Sequence, residues 1–248
     1  MVDVVLNERI WAEDAIRDLY QGKNPMEALG RIAKYYRHVG HKRNDVHRKL
    51  EEYLIRCNPT VNLFAWQDSI EAALSMSDKY KLIEIPYIPV TSEELAKIAT
   101  ADGIRMKRVL FTLLCSAKYL NAVNPKNNNW VYFSHRDVFQ MANVSATIRE
   151  RATMIHTLYK SGFISFNKIV DNTNMRVEFV SENNDHPELK IDDFRNLGNQ
   201  YSAYAEGGYM PCQCCGLYVR KNTNNQRYCK RCAVGVNNGV IRPPASVS

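Results

Sequence analysis

The tightest constraint on this chain lies near its carboxyl end, where Cys212-Gln-Cys-Cys-Gly216 is followed by Tyr228-Cys-Lys-Arg-Cys-Ala233. Two C-x-x-C pairs, Cys212 with Cys215 and Cys229 with Cys232, stand 13 residues apart. Each pair suits a turn that aims two thiolates at one ion, and two pairs complete the tetrahedron that zinc prefers. A module of about 40 residues or fewer cannot bury enough apolar surface to fold alone, so the ion supplies the missing free energy. Gly216 fits the tight turn after the first pair, where positive φ is often needed. Leu217-Tyr-Val219 reads as a strand, which makes the module a zinc ribbon or a treble-clef-like knuckle. The expected cofactor is therefore one structural Zn2+ held by Cys212, Cys215, Cys229 and Cys232, a closed set with no open position for catalysis. Cys214 leaves an alternative: it can replace Cys212 or Cys215, although C-x-x-C geometry favours the outer two. Cys57 and Cys115 sit in apolar helical surroundings and read as small core residues.

That reading depends on a reducing compartment. No stretch approaches 18 consecutive apolar residues, so no membrane span is expected. The amino-terminal MVDVVLNERIWAED carries early acids and lacks the basic-then-apolar layout of a secretory signal. The expected setting is the cytoplasm, where clustered cysteines point to metal rather than disulfides. At 248 residues, with 45% hydrophobic and 24% charged side chains, the chain has enough material for a real core.

The net charge of +7 is unevenly spread. Residues 1–100 sum to −1, residues 101–180 to +6, residues 181–206 to −4, and residues 207–248 to +6 with no acid among them. Basic segments attract polyanions, nucleic acid foremost, although each can also be a solvated face.

The first 80 residues read as four helices, from about Glu8 to Tyr20, Met26 to His38, Asn44 to Arg56 and Leu63 to Met76. Ala28, Leu29, Ile32, Ala33 and Tyr36 form one apolar stripe, with Pro25 in the first-turn slot. Residues 1–90 are thus expected to be a helical bundle region that ends in a proline-interrupted connector or edge strand. Residues 182–206 read as an acidic linker or exposed edge (Glu182 to Asp193) and a short helix (Phe194 to Tyr204), 207–236 as the zinc-binding module, and 237–248 as a mobile tail.

Residues 91–181 carry an ordered series. Thr91 or Ser92 caps a short helix, and a buried one follows from about Ile104 to Val123. Trp130 to Phe133 is a strand, Ser134 caps a helix from Arg136 to Ala142, and Ser145 caps another from Thr147 to Lys160. Strands at 163–170 and 175–180 then flank the turn-forming residues Asp171 to Asn174. Helix, strand, helix, turn, helix and hairpin is the order of a winged helix-turn-helix, and residues 104–180 resemble that family. The resemblance implies that Thr147, Arg149, Glu150, Arg151 and Thr153 lie toward the end of the second helix that reaches base edges. Ile148, Ile155 and Leu158 would face the core, while Lys168 and Arg176 approach phosphates. Around the cysteines, Arg220, Lys221, Arg227, Lys230 and Arg231 keep the module positive even after four thiolates and one Zn2+ contribute −2.

The expected fold class is therefore mostly α with small β: an amino-terminal helical region, a winged helix-turn-helix-like middle and a carboxyl-terminal four-cysteine module. Together with Phe194-Arg-Asn-Leu-Gly198 upstream of the cysteines, this combination resembles proteins of phages and prophages of Gram-positive bacteria. The resemblance is firmest over residues 130–233 and implies a mobile-element origin more than an activity. No phosphate-binding glycine loop, nucleophile elbow or H-E-x-x-H is present. His38, His41, Asp45 and His47 lack a matched second pair and read as a basic turn. The leading expectation is a non-enzymatic regulator or accessory factor of phage transcription or replication that binds nucleic acid, DNA foremost. A protein-binding adaptor or inhibitor is the alternative, and a structural or assembly component the third.

Overall fold

The structure is a computed structural model describing residues 4–19, 24–167 and 174–238. The chain divides into two compact units, one of Val5–Pro86 and one of Tyr87–Ser248 with Met1–Val4.

The Val5–Pro86 unit is helical. It contains α1 (Glu8–Asp18), α2 (Pro25–His38), α3 (Arg43–Cys57), a 3-10 turn (Leu63–Trp66) and α4 (Gln67–Lys79). Asn7 and Asn24 cap α1 and α2 by accepting N–H bonds through their side chains, and Pro25 opens α2 as its missing N–H permits. The expected stripe is the one that packs: Ala28, Leu29, Ile32 and Ala33 are buried, in a core shared with Val46, Leu50, Leu54, Ile70 and Leu74. A buried ion pair threads it, Lys34 Nζ lying 2.5 Å from Glu8, which also accepts the Ile83 N–H at 2.9 Å.

The second unit opens with β1 (Ile88–Val90), α5 (Ser92–Ala99) and the long helix α6 (Gly103–Val123). Thr91, the first of the two residues expected at this cap, closes a capping box with Glu94. Val109 to Lys118 of α6 are all buried. Lys118 pairs with Glu94 at 2.8 Å, and Glu94 also accepts the N–H groups of Thr91 and Ser181. This buried charge pair therefore has its remaining lone pairs satisfied, as burial requires.

Next come β2 (Trp130–Val131), α7 (His135–Met141), α8 (Ile148–Lys160), β3 (Ile164–Phe166) and β4 (Met175–Val177). The strands form one antiparallel sheet in the order β2-β4-β3, with Trp130 opposite Arg176 and Ile164 opposite Val177. Most of the expected hairpin turn and the strand end before it fall outside the described residues. Two local expectations are corrected here. Thr147, not Ser145, caps α8, because Thr147-Ile-Arg-Glu150 closes a full capping box that Ser145 has no acid to complete. Ile155 and Leu158 are buried, but Ile148 is 84% exposed. It shares the stripe of Ile155 at i, i+7, yet residues 147–150 are all exposed, so the first turn of α8 projects past the packed core.

Of the linker and the exposed edge expected for the acidic strip, the structure has an edge strand. Leu189–Ile191 is a strand, β5, that pairs antiparallel with β1, placing Ile88 opposite Ile191. The short helix, α9 (Leu197–Ala205), packs along α6 with Leu197 and Tyr201 buried. The acids Asp192 and Asp193 lie between these elements while Ile191 and Phe194 on either side hold the chain to the core, so net charge alone misrepresents the segment. The chain finishes with β6 (Tyr209–Pro211), β7 (Tyr218–Arg220) and α10 (Lys230–Asn237). The mobile tail expected at 237–248 lies outside the described residues beyond Asn238. The whole is mostly α with small sheets, and no helix among the described residues is long and apolar enough to cross a membrane.

Candidate metal centre and the basic surface around it

β6 and β7 pair antiparallel, with Met210 opposite Val219, and the first cysteine pair sits in the turn that joins them. Cys212 N donates to Leu217 O at 2.9 Å and Gly216 N to Cys212 O at 2.8 Å, which closes the turn. Gly216 has φ +73°, a conformation that side-chain-bearing residues rarely adopt. The second pair comes from a helix end: Cys229 is the N-cap of α10 and Cys232 lies in its first turn. A C-x-x-C spacing on a turn and another on a helix start each bring two Sγ atoms to one side of the backbone.

The four ligand atoms of Cys212, Cys215, Cys229 and Cys232 all lie within 4.8 Å of one another, and the Cys215 and Cys229 sulfurs are 3.9 Å apart. A tetrahedron with Zn–S of about 2.3 Å has edges of about 3.8 Å, so the donors fit zinc in type, number and spacing. Cys212, Cys229 and Cys232 are buried. Cys229 N donates to Cys212 Sγ at 3.2 Å and Cys232 N to Cys229 Sγ at 3.4 Å, bonds that favour thiolate. Burial alone pushes the Cys212 thiol up, but N–H bonds from residues 229, 215 and 214 outweigh it and bring the group down to about 6. Cys232 is pushed the other way by burial and by its neighbouring thiols. Four sulfurs this close together need a cation to be held as thiolates at once. Cys214 packs against the cluster but is not among the converging donors. Among the described residues these four cysteines are the sole His/Cys/Asp/Glu cluster with metal-ligand geometry. His38 and His47 instead engage Glu84 and Glu51 in loose pairs. Cys115 is fully buried, and burial raises its thiol well above the ordinary range, whereas Cys57 is only partly buried.

The cations expected near the cysteines are all at the surface. Arg220, Lys221, Arg227, Lys230 and Arg231 are exposed, and none forms an ion pair among the described residues. On α8, Arg149 is exposed and likewise unpaired. Its neighbours are committed locally. Thr147 accepts the Glu150 N–H, and Glu150 returns the contact at 2.7 Å to Thr147 N. Those bonds hold the Glu150 carboxyl below the usual carboxylate range. Arg151 Nε donates to Ala146 O at 2.9 Å, with its guanidinium 5.9 Å over the Phe139 ring, so it clamps the turn before α8. Arg105 Nη2 reaches Ser145 O at 2.5 Å and braces the same turn. Arg176 bonds Asn128 and pairs with Glu178 at 3.5 Å, and Lys168 lies outside the described residues.

The residues that seat the metal module come from α9 and the segment before it. Phe194 packs its ring on Tyr119, Arg195 pairs with Asp193, and Arg195 Nη2 donates to Cys215 O at 2.6 Å. Asn196 takes positive φ at the helix start, and Leu197 is fully buried. Gly198 lies against the Ala142 carbonyl. The Phe194-to-Gly198 run is therefore a structural buttress. Asn199 and Arg108 extend it: Asn199 Nδ2 donates to Tyr218 O at 2.9 Å, and Arg108 bonds Ser202 and the Tyr209 hydroxyl. Neither has a sequence signature, because each acts across a distance in the chain that only folding closes. No family model matches the chain, and comparisons with curated proteins and with solved structures likewise give no match.

Proposed function

We propose that this chain is a non-enzymatic, zinc-containing nucleic-acid-binding protein, a regulator or accessory factor of phage or prophage transcription or replication. The observation that carries the reading is the set of exposed, unpaired cations around four converging cysteines, in a carboxyl-terminal segment without a single acid. Unpaired surface cations release counterions when they meet phosphates, a gain that a salt-bridged face lacks. Zinc is the resident ion on this reading, and its role is structural: it ties the β6–β7 turn to the start of α10 in a treble-clef-like arrangement. Four thiolates exhaust its tetrahedron.

Residues 91–181 serve as a winged helix-turn-helix on the same reading, with α8 as the reading helix and Arg149 its free cation. The element order and the three-stranded sheet β2-β4-β3 support this. A protein partner is the second reading, and Ile148 favours it: an isoleucine 84% exposed on the projecting turn of α8 gains more from an apolar surface than from phosphate.

The test is binding of the zinc-loaded protein to long duplex and single-stranded DNA at several salt concentrations. Affinity is expected to fall steeply between about 50 and 200 mM salt. Absence of binding near about 50–100 mM, with zinc confirmed at one ion per chain, overturns the reading and leaves the protein partner in its place.

A further inference from the structure

Two basic elements far apart in sequence are fastened to one another through a single side chain. Asn143, in the turn between α7 and α8, donates from Nδ2 to Asn199 Oδ1 at 2.9 Å. The other half of the same amide, Asn199 Nδ2, donates to Tyr218 O in β7 at 2.9 Å. Asn199 is 4% exposed, so its amide depends on these two part-buried bonds, whereas Asn143 at the other end is exposed. The rest of the bracket is stiff. Gly198 touches the Ala142 carbonyl so closely that no side chain fits, Arg195 holds the Cys215 carbonyl, and Arg108 ties α6 to Ser202 and Tyr209. Just past each end of the bracket stand free cations: Arg149 six residues after Asn143, and Arg220 with Lys221 two and three residues after Tyr218.

We propose that Asn199 sets the spacing of a composite surface, in which α8 and the metal module engage the phosphates of one nucleic-acid duplex together. This rests on the nucleic-acid reading above and deepens it by assigning one partner to two elements. Rigid placement is what makes the pairing productive. Two weak phosphate-binding patches held at fixed spacing meet the second set of phosphates without a further loss of freedom, whereas loosely tethered patches do not. Asn199 is a positioning residue in this scheme and touches no phosphate itself.

The experiment titrates the zinc-loaded full chain with a duplex of roughly 20 base pairs, about two helical turns. The variants are Arg149→Gln, the pair Arg220→Gln with Lys221→Gln, and Asn199→Ala. One duplex is expected to bind per chain. Arg149→Gln should lower the slope of log affinity on log salt by about 1, and the pair by about 2, on that same duplex. Asn199→Ala should keep its zinc, weaken binding about tenfold, and raise amide exchange over residues 143–150 and 216–221 together, as loss of both bonds of the buried Asn199 amide implies. Two duplexes per chain, an unchanged slope for either charge variant, or exchange that rises on one side only overturns the composite surface and leaves the nucleic-acid reading standing. Wild-type protein that ignores DNA but is retained on an acidic polypeptide overturns both.

Discussion

Substituting Gly198 by alanine tests how the metal module is seated. The added Cβ would lie 1.8 Å from the Ala142 carbonyl oxygen, 2.7 Å from its carbon and 3.1 Å from Arg108 Cβ. Contacts under 3.0 Å essentially do not occur, so α9 must withdraw from the α7–α8 turn by at least 1.2 Å. The obstacle is backbone, which cannot rotate away as a side-chain tip can. Overpacking of this kind costs about 1–3 kcal/mol. The withdrawal also stretches the two hydrogen bonds of Asn199, each worth about 1 kcal/mol. Together these predict a loss of about 3–5 kcal/mol, a large share of the 5–15 kcal/mol typical of a whole domain. Urea denaturation of the zinc-loaded chain, followed by circular dichroism, measures it. Gly30→Ala is the control: its Cβ meets only the mobile tip of Met76, at 3.2 Å. A gain of up to about 1 kcal/mol from helix propensity then offsets the small contact, leaving little net change. A Gly198→Ala protein within about 1 kcal/mol of wild type would falsify the claim that α9 and the turn are locked at their closest approach.

Three further outcomes follow from the same contacts. Cys214→Ser should retain one zinc per chain while Cys215→Ser, Cys229→Ser or Cys232→Ser releases it. Metal content after gel filtration decides this, and loss of zinc from Cys214→Ser alone would reassign the ligand set. Lys118→Met should cost about 3–5 kcal/mol, because it strands the buried Glu94 carboxylate without its cation; a shift under about 1 kcal/mol in urea refutes the pairing. The last concerns pH. Glu150 is held below its ordinary value by Thr147, so its contribution is fully present above the unfolded carboxylate range and is lost as pH falls through the lower folded value. Amide protection at Thr147 and Glu150 should therefore fade on acidification below the ordinary glutamate range, and Glu150→Gln should weaken that pH dependence. Protection that rises toward acid would contradict the capping box.

Local grammar determined much of this protein from sequence alone. The four helices of the first unit, the stripe on α2, the cap at Thr91 or Ser92 and the turn geometry of each C-x-x-C pair all depend on residues within a turn or two of one another. Side-chain spacing and capping act at that range, and the chain states them directly. The same grammar misplaced the α8 cap at Ser145, because two hydroxyl residues compete there and the decision rests with Glu150, three residues beyond Thr147. It also left the acidic strip from Glu182 to Asp193 open between a linker and an exposed edge, because charge was visible while the partner of β5, a strand about a hundred residues earlier, was not. Ile148 looked like core by periodicity, and only packing shows that the stripe runs out before the first turn of α8. Tertiary structure alone decided which cations are free. Arg149 stays unpaired while Arg151 and Arg176 are bound to Ala146 and Asn128, although all three carry the same charge in the sequence. It alone decided that Asn199, an unremarkable polar residue in the chain, joins the α7–α8 turn to the metal module. A hydrogen bond between segments far apart in sequence leaves no local trace, since it exists only once the helices that carry its donor and acceptor have been brought together by burial elsewhere.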